Sequence, residues 1–120
     1  MDETRALLRR TADHAADFLD TLDERPVFPS VTVEQLWEQL GGRMRDEPTD
    51  PATVIDQLVA GAGPGVVAIP SGRYFGFVIG GSVPAALAAD WLTSAWDQNA
   101  GLYVAGPSAS VVEDVAGGWL

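Results

Sequence analysis

Residues 72–120 read GRYFGFVIGGSVPAALAADWLTSAWDQNAGLYVAGPSASVVEDVAGGWL, and the punctuation of this stretch sets the architecture to expect. Together with Val66 to Ser71 it opens on β-branched and aromatic residues broken by Pro70, Ser71 and Gly72. That pattern predicts short extended segments over 66–79 without a regular sheet. Gly80-Gly81-Ser82 then places Ser82 as an N-cap, with Pro84 in the first turn of a helix reaching about Asp97. Gly106-Pro107 opens a last helix, whose apolar side is Val111, Val112, Val115 and Trp119. It meets no usable stop. The chain ends on Trp119 and Leu120, two large apolar residues, where frayed polar residues are usual. Truncation of a longer protein is the expectation.

The N-terminal half is helical by the same rules. Over 2–24, Leu8, Ala12, Ala15, Leu19 and Leu22 recur at spacings of three and four and form one apolar stripe. Arg9 and Asp13 can pair on the outer face. Asp20, Asp23 and Glu24 crowd the C-terminal end, where the helix dipole disfavours them. Solvent must screen them, or a base from outside the segment must meet them. Pro26 ends the helix, and 25–29 is an extended connector. Thr32 starts a second helix through a capping box with Gln35, with Leu36, Trp37 and Leu40 facing inward and Gly41-Gly42 closing it. Asp50-Pro51 starts a third, whose face is Val54, Ile55, Leu58 and Val59. A mainly α fold follows.

Composition narrows the chemistry. The 120 residues carry 17 acids against 7 bases, a net charge of −10, with one histidine and no cysteine. All seven bases are arginine. Lacking cysteine, the chain has no disulfide, thiol nucleophile or Cys-ligated zinc, and one histidine makes no His-rich metal site. Lacking lysine, it forms no Schiff base and completes no Walker loop. The acidic balance excludes nucleic acid or an anionic membrane as main partner. Uncharged runs are too short and broken for a membrane span, and Met1-Asp2-Glu3 does not begin a signal peptide. A cytoplasmic protein is the default. Thirteen of the seventeen acids precede residue 57, while 57–89 holds a single charge, Arg73. The first half therefore reads as solvated helices and the second as buried or interface material.

A self-contained active site is not evident. His14 reads as an exposed helix histidine with no nucleophile beside it. Adjacent pairs such as Asp46/Glu47 and Glu113/Asp114 diverge on their helices or linkers. The 61–65 glycines follow a helix, not a strand, and read as a terminator. Two places stand out. Gly80-Gly81-Ser82 before a helix start could admit an anion to backbone N–H groups, or be an ordinary tight loop. Trp96 to Tyr103 gathers amides and aromatics as a pocket edge would, or is a C-cap with Asn and Gly.

At these places the sequence resembles a known family. The run "extended aromatic segment, GGS-x-P, A-A-D-W-L, then P-x-x-x-x-x-E and W-L" over 72–120 is similar to the pyridoxal-phosphate-dependent amino-acid decarboxylases of the aromatic-amino-acid and glutamate group. Ala12 to Ser30, with its RPVFPS connector, resembles their N-terminal helical arm, and Pro64-Gly65-Val66 continues in register.

The resemblance implies the start of a fold-type I enzyme, an α/β parent, acting as a homodimer. Residues 1–62 would be a helical dimerisation arm, and 63–120 the substrate loop and helices leading to a cofactor domain outside this chain. That domain would supply the Schiff-base lysine and hold pyridoxal 5′-phosphate, so no catalytic, cofactor or metal residue falls here. Position by position, Phe77, Gly80 and Gly81 match the loop lining the amino-acid pocket. Asn99 and Gly101 match positions approaching the partner subunit's site. Aromatic-substrate members carry apolar or aromatic residues there, so Asn99 and Gly101 imply room for a polar or acidic substrate. The implied reaction is loss of carbon dioxide from an L-amino acid, with a related transaminase or oxidative deaminase as a variant outcome. A stand-alone helical interaction protein is the alternative from another class.

Overall fold

The computed structural model describes residues 2–120. Five helices carry it: α1 Asp2–Asp20, α2 Val33–Leu40, α3 Pro51–Ala62, α4 Pro84–Trp96 and α5 Pro107–Trp119, with single 3₁₀ turns at Gly63–Gly65 and Tyr103–Ala105. Among the described residues there is no strand. The chain divides into two compact units, one running up to Gly81 and the other from Ser82 to Leu120.

In the first unit, α1 and α2 both pack on α3. Thr32 caps α2 as the sequence predicts: its Oγ1 accepts from the Gln35 N–H at 3.2 Å, and the Gln35 side chain accepts from the Thr32 N–H at 2.8 Å. Asp50 caps α3, accepting from the Thr53 N–H at 2.9 Å, with Pro51 at the first helical position. Gly61 is buried where α2 crosses α3, and a Cβ there would sit 2.7 Å from Leu40 Cδ2. Gly63–Gly65 tightens the end of α3 into a 3₁₀ turn, the terminator role expected of those glycines.

α1 differs from the expected helix in two ways. It stops at Asp20, and 21–24 forms turns in which the Thr21 carbonyl accepts from both Glu24 and Arg25. Its inward face is also rotated. The half-buried positions are Leu7, Thr11, Ala12, His14, Ala15 and Phe18, so Ala12 and Ala15 of the expected stripe stay inward, whereas Leu8 and Leu19 are exposed. The cause is polar: α3 meets the side of α1 that presents Arg10 and His14 to Asp56, and that contact outweighs the leucine stripe. The predicted Arg9–Asp13 pair does not form among the described residues; Arg10 is the base engaged.

The 66–79 stretch does not extend throughout. Phe77 and Val78 have φ of 52° and 55°, and the Ile79 N–H donates to the Gly76 carbonyl at 3.1 Å. This is a tight turn with two left-handed residues, a conformation that favours Asn-Gly and strains Phe-Val. Its outer side chains are bare: Phe77 is 84% exposed and Val78 fully so. The start of α4 also moves. Val83 is the N-cap, with no side-chain cap bond, and Ser82 lies one residue before it. Pro84 at the first position forces Val83 extended, which leaves Ser82 too far back to reach the helix amides.

Apolar burial is slight. Ala68 is the buried apolar residue among those described, and no large side chain is fully enclosed. Of the expected inner faces, Ala12, Ala15, Leu22, Leu36 and Ile55 are half-buried. Trp37 is 71% exposed and Trp119 83%, and Leu40, Val54, Leu58, Val59, Val111, Val112 and Val115 also face solvent.

Candidate functional site

The first candidate region is a loop closed at its base. Pro70 and Gly81 meet so closely that a Cβ on Gly81 would stand 3.3 Å from Pro70 Cα. Inside it, buried Ser71 organises the near side: its Oγ accepts from the Arg73 N–H at 3.2 Å and its carbonyl from the Tyr74 N–H at 3.0 Å. Tyr74 packs on Phe28 of the connector with ring centroids 5.8 Å apart. The Ala68 N–H donates to the Val27 carbonyl at 2.9 Å, a second link to that connector. Arg73 reaches the end of the α1 turn and donates from one terminal nitrogen to the carbonyls of Leu22, at 2.7 Å, and Arg25, at 2.6 Å. Arg73 thus meets carbonyls after α1, while Asp20, Asp23 and Glu24 are exposed to solvent and form no ion pair among the described residues.

Phe77, Gly80 and Gly81 share this loop and are exposed. A Cβ on Gly80 would meet nothing within 4 Å. The expected anion-binding role at a helix start is corrected: Gly80 and Gly81 lie two or more residues before the Val83 cap, so their N–H groups are not the orphan donors of α4.

Asn99 and Gly101 belong to the second unit. α4 ends at Asp97, left-handed with φ of 47°, and Asn99 then closes a turn on itself. Its Oδ1 accepts from the N–H of Gly101 at 2.9 Å and of Leu102 at 3.1 Å. The Asn99 carbonyl lies where a Gly106 Cβ would come within 2.4 Å, so residue 106, which opens α5, must be glycine. The turn reading of this stretch is what the geometry shows: the amide oxygen of Asn99 serves the chain's own backbone.

The tightest polar cluster was not evident in the sequence. Asp56 takes a two-pronged grip from Arg10, with Nε donating to Oδ1 at 2.6 Å and Nη2 to Oδ2 at 2.5 Å. His14 Nε2 lies 3.0 Å from the same Oδ1. His14 is therefore a half-buried partner, not the free surface histidine expected. The Arg10 hydrogen bond, reinforced by His14, pulls the Asp56 carboxyl down to about 2, and the same bond raises Arg10 above its ordinary value. Asp56 is the one charge on α3, and Arg10 and His14 stand one turn apart on α1; that combination was the available signal. The cluster joins α1 to α3.

A shallow apolar groove of about 270 Å³ runs along α2, lined by Val33, Leu36, Trp37, Leu40 and Gly41. None of the five predicted pocket residues lines it. Among the described residues no group of acids and histidine could hold a metal ion, and no helix is long and apolar enough to cross a membrane.

Comparison with known proteins gives one relative to report. The chain is 25% identical over 119 residues to tryptophan decarboxylase 1 of Oryza sativa subsp. japonica, a match covering 99% of this chain and 23% of the relative. The chain thus spans about a quarter of that protein's length. No family model and no solved structure matches.

Proposed function

We propose that the chain is the N-terminal segment of a pyridoxal-phosphate-dependent amino-acid decarboxylase, a carboxy-lyase that releases carbon dioxide from an L-amino acid. On this reading it contributes a homodimer interface and one edge of the amino-acid pocket. The observation that carries it is the alignment with a decarboxylase along 99% of the chain. The exposed apolar faces of α2, α3 and α5 agree with a segment made to lie against other protein. The residues present do not fit the coenzyme itself. There is no lysine to condense with it, and the glycines that resembled an anion site stand ahead of the helix start. Residues outside this chain would hold the coenzyme, and this segment would bind and orient the amino acid and exclude water.

Carbon dioxide release by the full-length protein across an amino-acid panel that includes tryptophan and glutamate tests the reading. No release from any member defeats it, and keto-acid or ammonia formation without carbon dioxide redirects it to the transaminase or deaminase outcome. Gly80 offers a local test because its own chain leaves the space open. Gly80→Trp should lower turnover by about tenfold or more through intrusion on the substrate, with coenzyme content unchanged. Unchanged turnover removes Gly80 from the pocket.

The alternative is a free-standing helical interaction protein. A reading frame continuing past Leu120 into a His-Lys pair supports the enzyme, and a stop codon there supports the interaction protein.

A further inference from the structure

We infer that Arg73 is the positioning residue of the pocket edge: it holds the loop that carries Phe77, Gly80 and Gly81 against the end of α1. The inference rests on the reading of that loop as an amino-acid pocket edge.

Arg73 is the only charge between residues 57 and 89. Among the described residues it makes no ion pair. Its guanidinium instead spans two carbonyls, Leu22 at 2.7 Å and Arg25 at 2.6 Å, neither of which accepts another backbone bond. Both carbonyls lie beyond the Asp20 end of α1, in the turns and connector that follow it, and a charged donor makes a stronger hydrogen bond to each than a neutral one would. Both bonds leave the same nitrogen, Nη2, so its two N–H groups each serve one carbonyl, and a lysine on its shorter stem would have to reach the same point to replace it.

The far side of the same loop needs holding. Phe77 and Val78 sit at positive φ with their side chains in solvent, so no packing of their own fixes them. Such backbone persists only where its surroundings over-determine it. Here those surroundings are the Pro70–Gly81 closure, the Ser71 bonds and the Arg73 bridge. Arg73 is the member that reaches furthest, about fifty residues back along the chain. It touches neither substrate nor coenzyme and acts through the loop.

Hydrogen exchange and kinetics on wild type, Arg73→Met and Arg73→Lys test this. In the 120-residue chain, Arg73→Met should speed exchange of the amides at 74–79 and 22–25 by about tenfold, because a charge-assisted anchor is lost from a local opening. Arg73→Lys should fall between the two. In the full-length enzyme, Arg73→Met should raise KM for the amino acid about tenfold with kcat within about threefold, the mark of lost ground-state positioning, and the absorption of the bound coenzyme should not change. Unaltered exchange in Arg73→Met overturns the anchor. Faster exchange with unaltered KM overturns the role in the pocket and leaves a structural brace. A wild-type enzyme that decarboxylates no amino acid overturns the pocket role together with the functional reading, while the exchange result still decides the anchor.

Discussion

Asp56 shows how one side chain can redirect a helix face. Its carboxylate is shared between Arg10 and His14, and with its pKa near 2 it stays charged far into acid. An unfolded chain would hold the same group near 3.8. A depressed folded value stabilises the native state above the unfolded pKa, and the contribution disappears as pH falls through the folded one. The melting temperature of wild type should therefore exceed that of Asp56→Asn at pH 6, and the gap should close between about pH 4 and pH 2. A gap that persists undiminished at pH 2 would show that the carboxylate charge is not what joins α1 to α3. This contact was hard to read from sequence for a definite reason. Arg10 and Asp56 are 46 positions apart, and i, i+4 rules see only partners on the same helix, so they nominate Arg9 with Asp13.

Among the elements, those fixed by local chemistry were legible and those fixed by tertiary contact were not. Thr32, Gln35, Asp50 and Pro51 start α2 and α3 where their side chains say, since a cap needs only four consecutive residues to recognise. Pro84 and Pro107 mark α4 and α5 equally well. Ser82 misled because the residue that precedes proline is driven extended and takes the cap position itself. The turn at Phe77-Val78 was invisible for the opposite reason: both residues prefer strands, and only the loop closure bends them. Thr32 and Ser82 give a contrast to measure. Thr32→Ala should cost about 1 kcal/mol by removing a capping box from an eight-residue helix, read as faster exchange across Val33–Leu40 or a lower urea midpoint. Ser82→Ala should change stability by less than about 0.5 kcal/mol. A Ser82→Ala loss as large as that of Thr32→Ala would restore Ser82 as the cap of α4. Of the residues proposed for the pocket, Gly80, Gly81 and the stretch holding Asn99 stood out by composition and Phe77 only by the family resemblance, whereas the Arg73 bridge depends on a fold-back no local pattern encodes.

The whole molecule exposes more surface than its mass requires. Its accessible surface is 9998 Å² for 12.7 kDa, against about 6,200 Å² for a compact monomer and about 7,400 Å² for two compact units of these lengths kept apart. The excess over the more generous figure, about 2,600 Å², is roughly three times what one partner contributes to a standard interface. Much of it is Trp37, Leu40, Val54, Leu58 and the valines of α5. Hydrophobic surface of that extent drives association, while a net charge of −10 opposes it. The two forces differ in range and in response to salt. Repulsion between whole chains acts over a Debye length, about 30 Å at 0.01 M and 10 Å at 0.1 M, whereas apolar contact is indifferent to it. The purified 120-residue chain should thus gain mass by light scattering as sodium chloride rises from about 0.01 to 0.15 M. Trp37→Ser should weaken that gain by withdrawing the largest exposed side chain on α2. Pyridoxal phosphate added to the same sample should leave no bound yellow species, since no lysine is present to capture it. A chain that stays monomeric at every salt concentration and melts cooperatively would mean that these faces are satisfied within one copy, and the interface reading would fall with them.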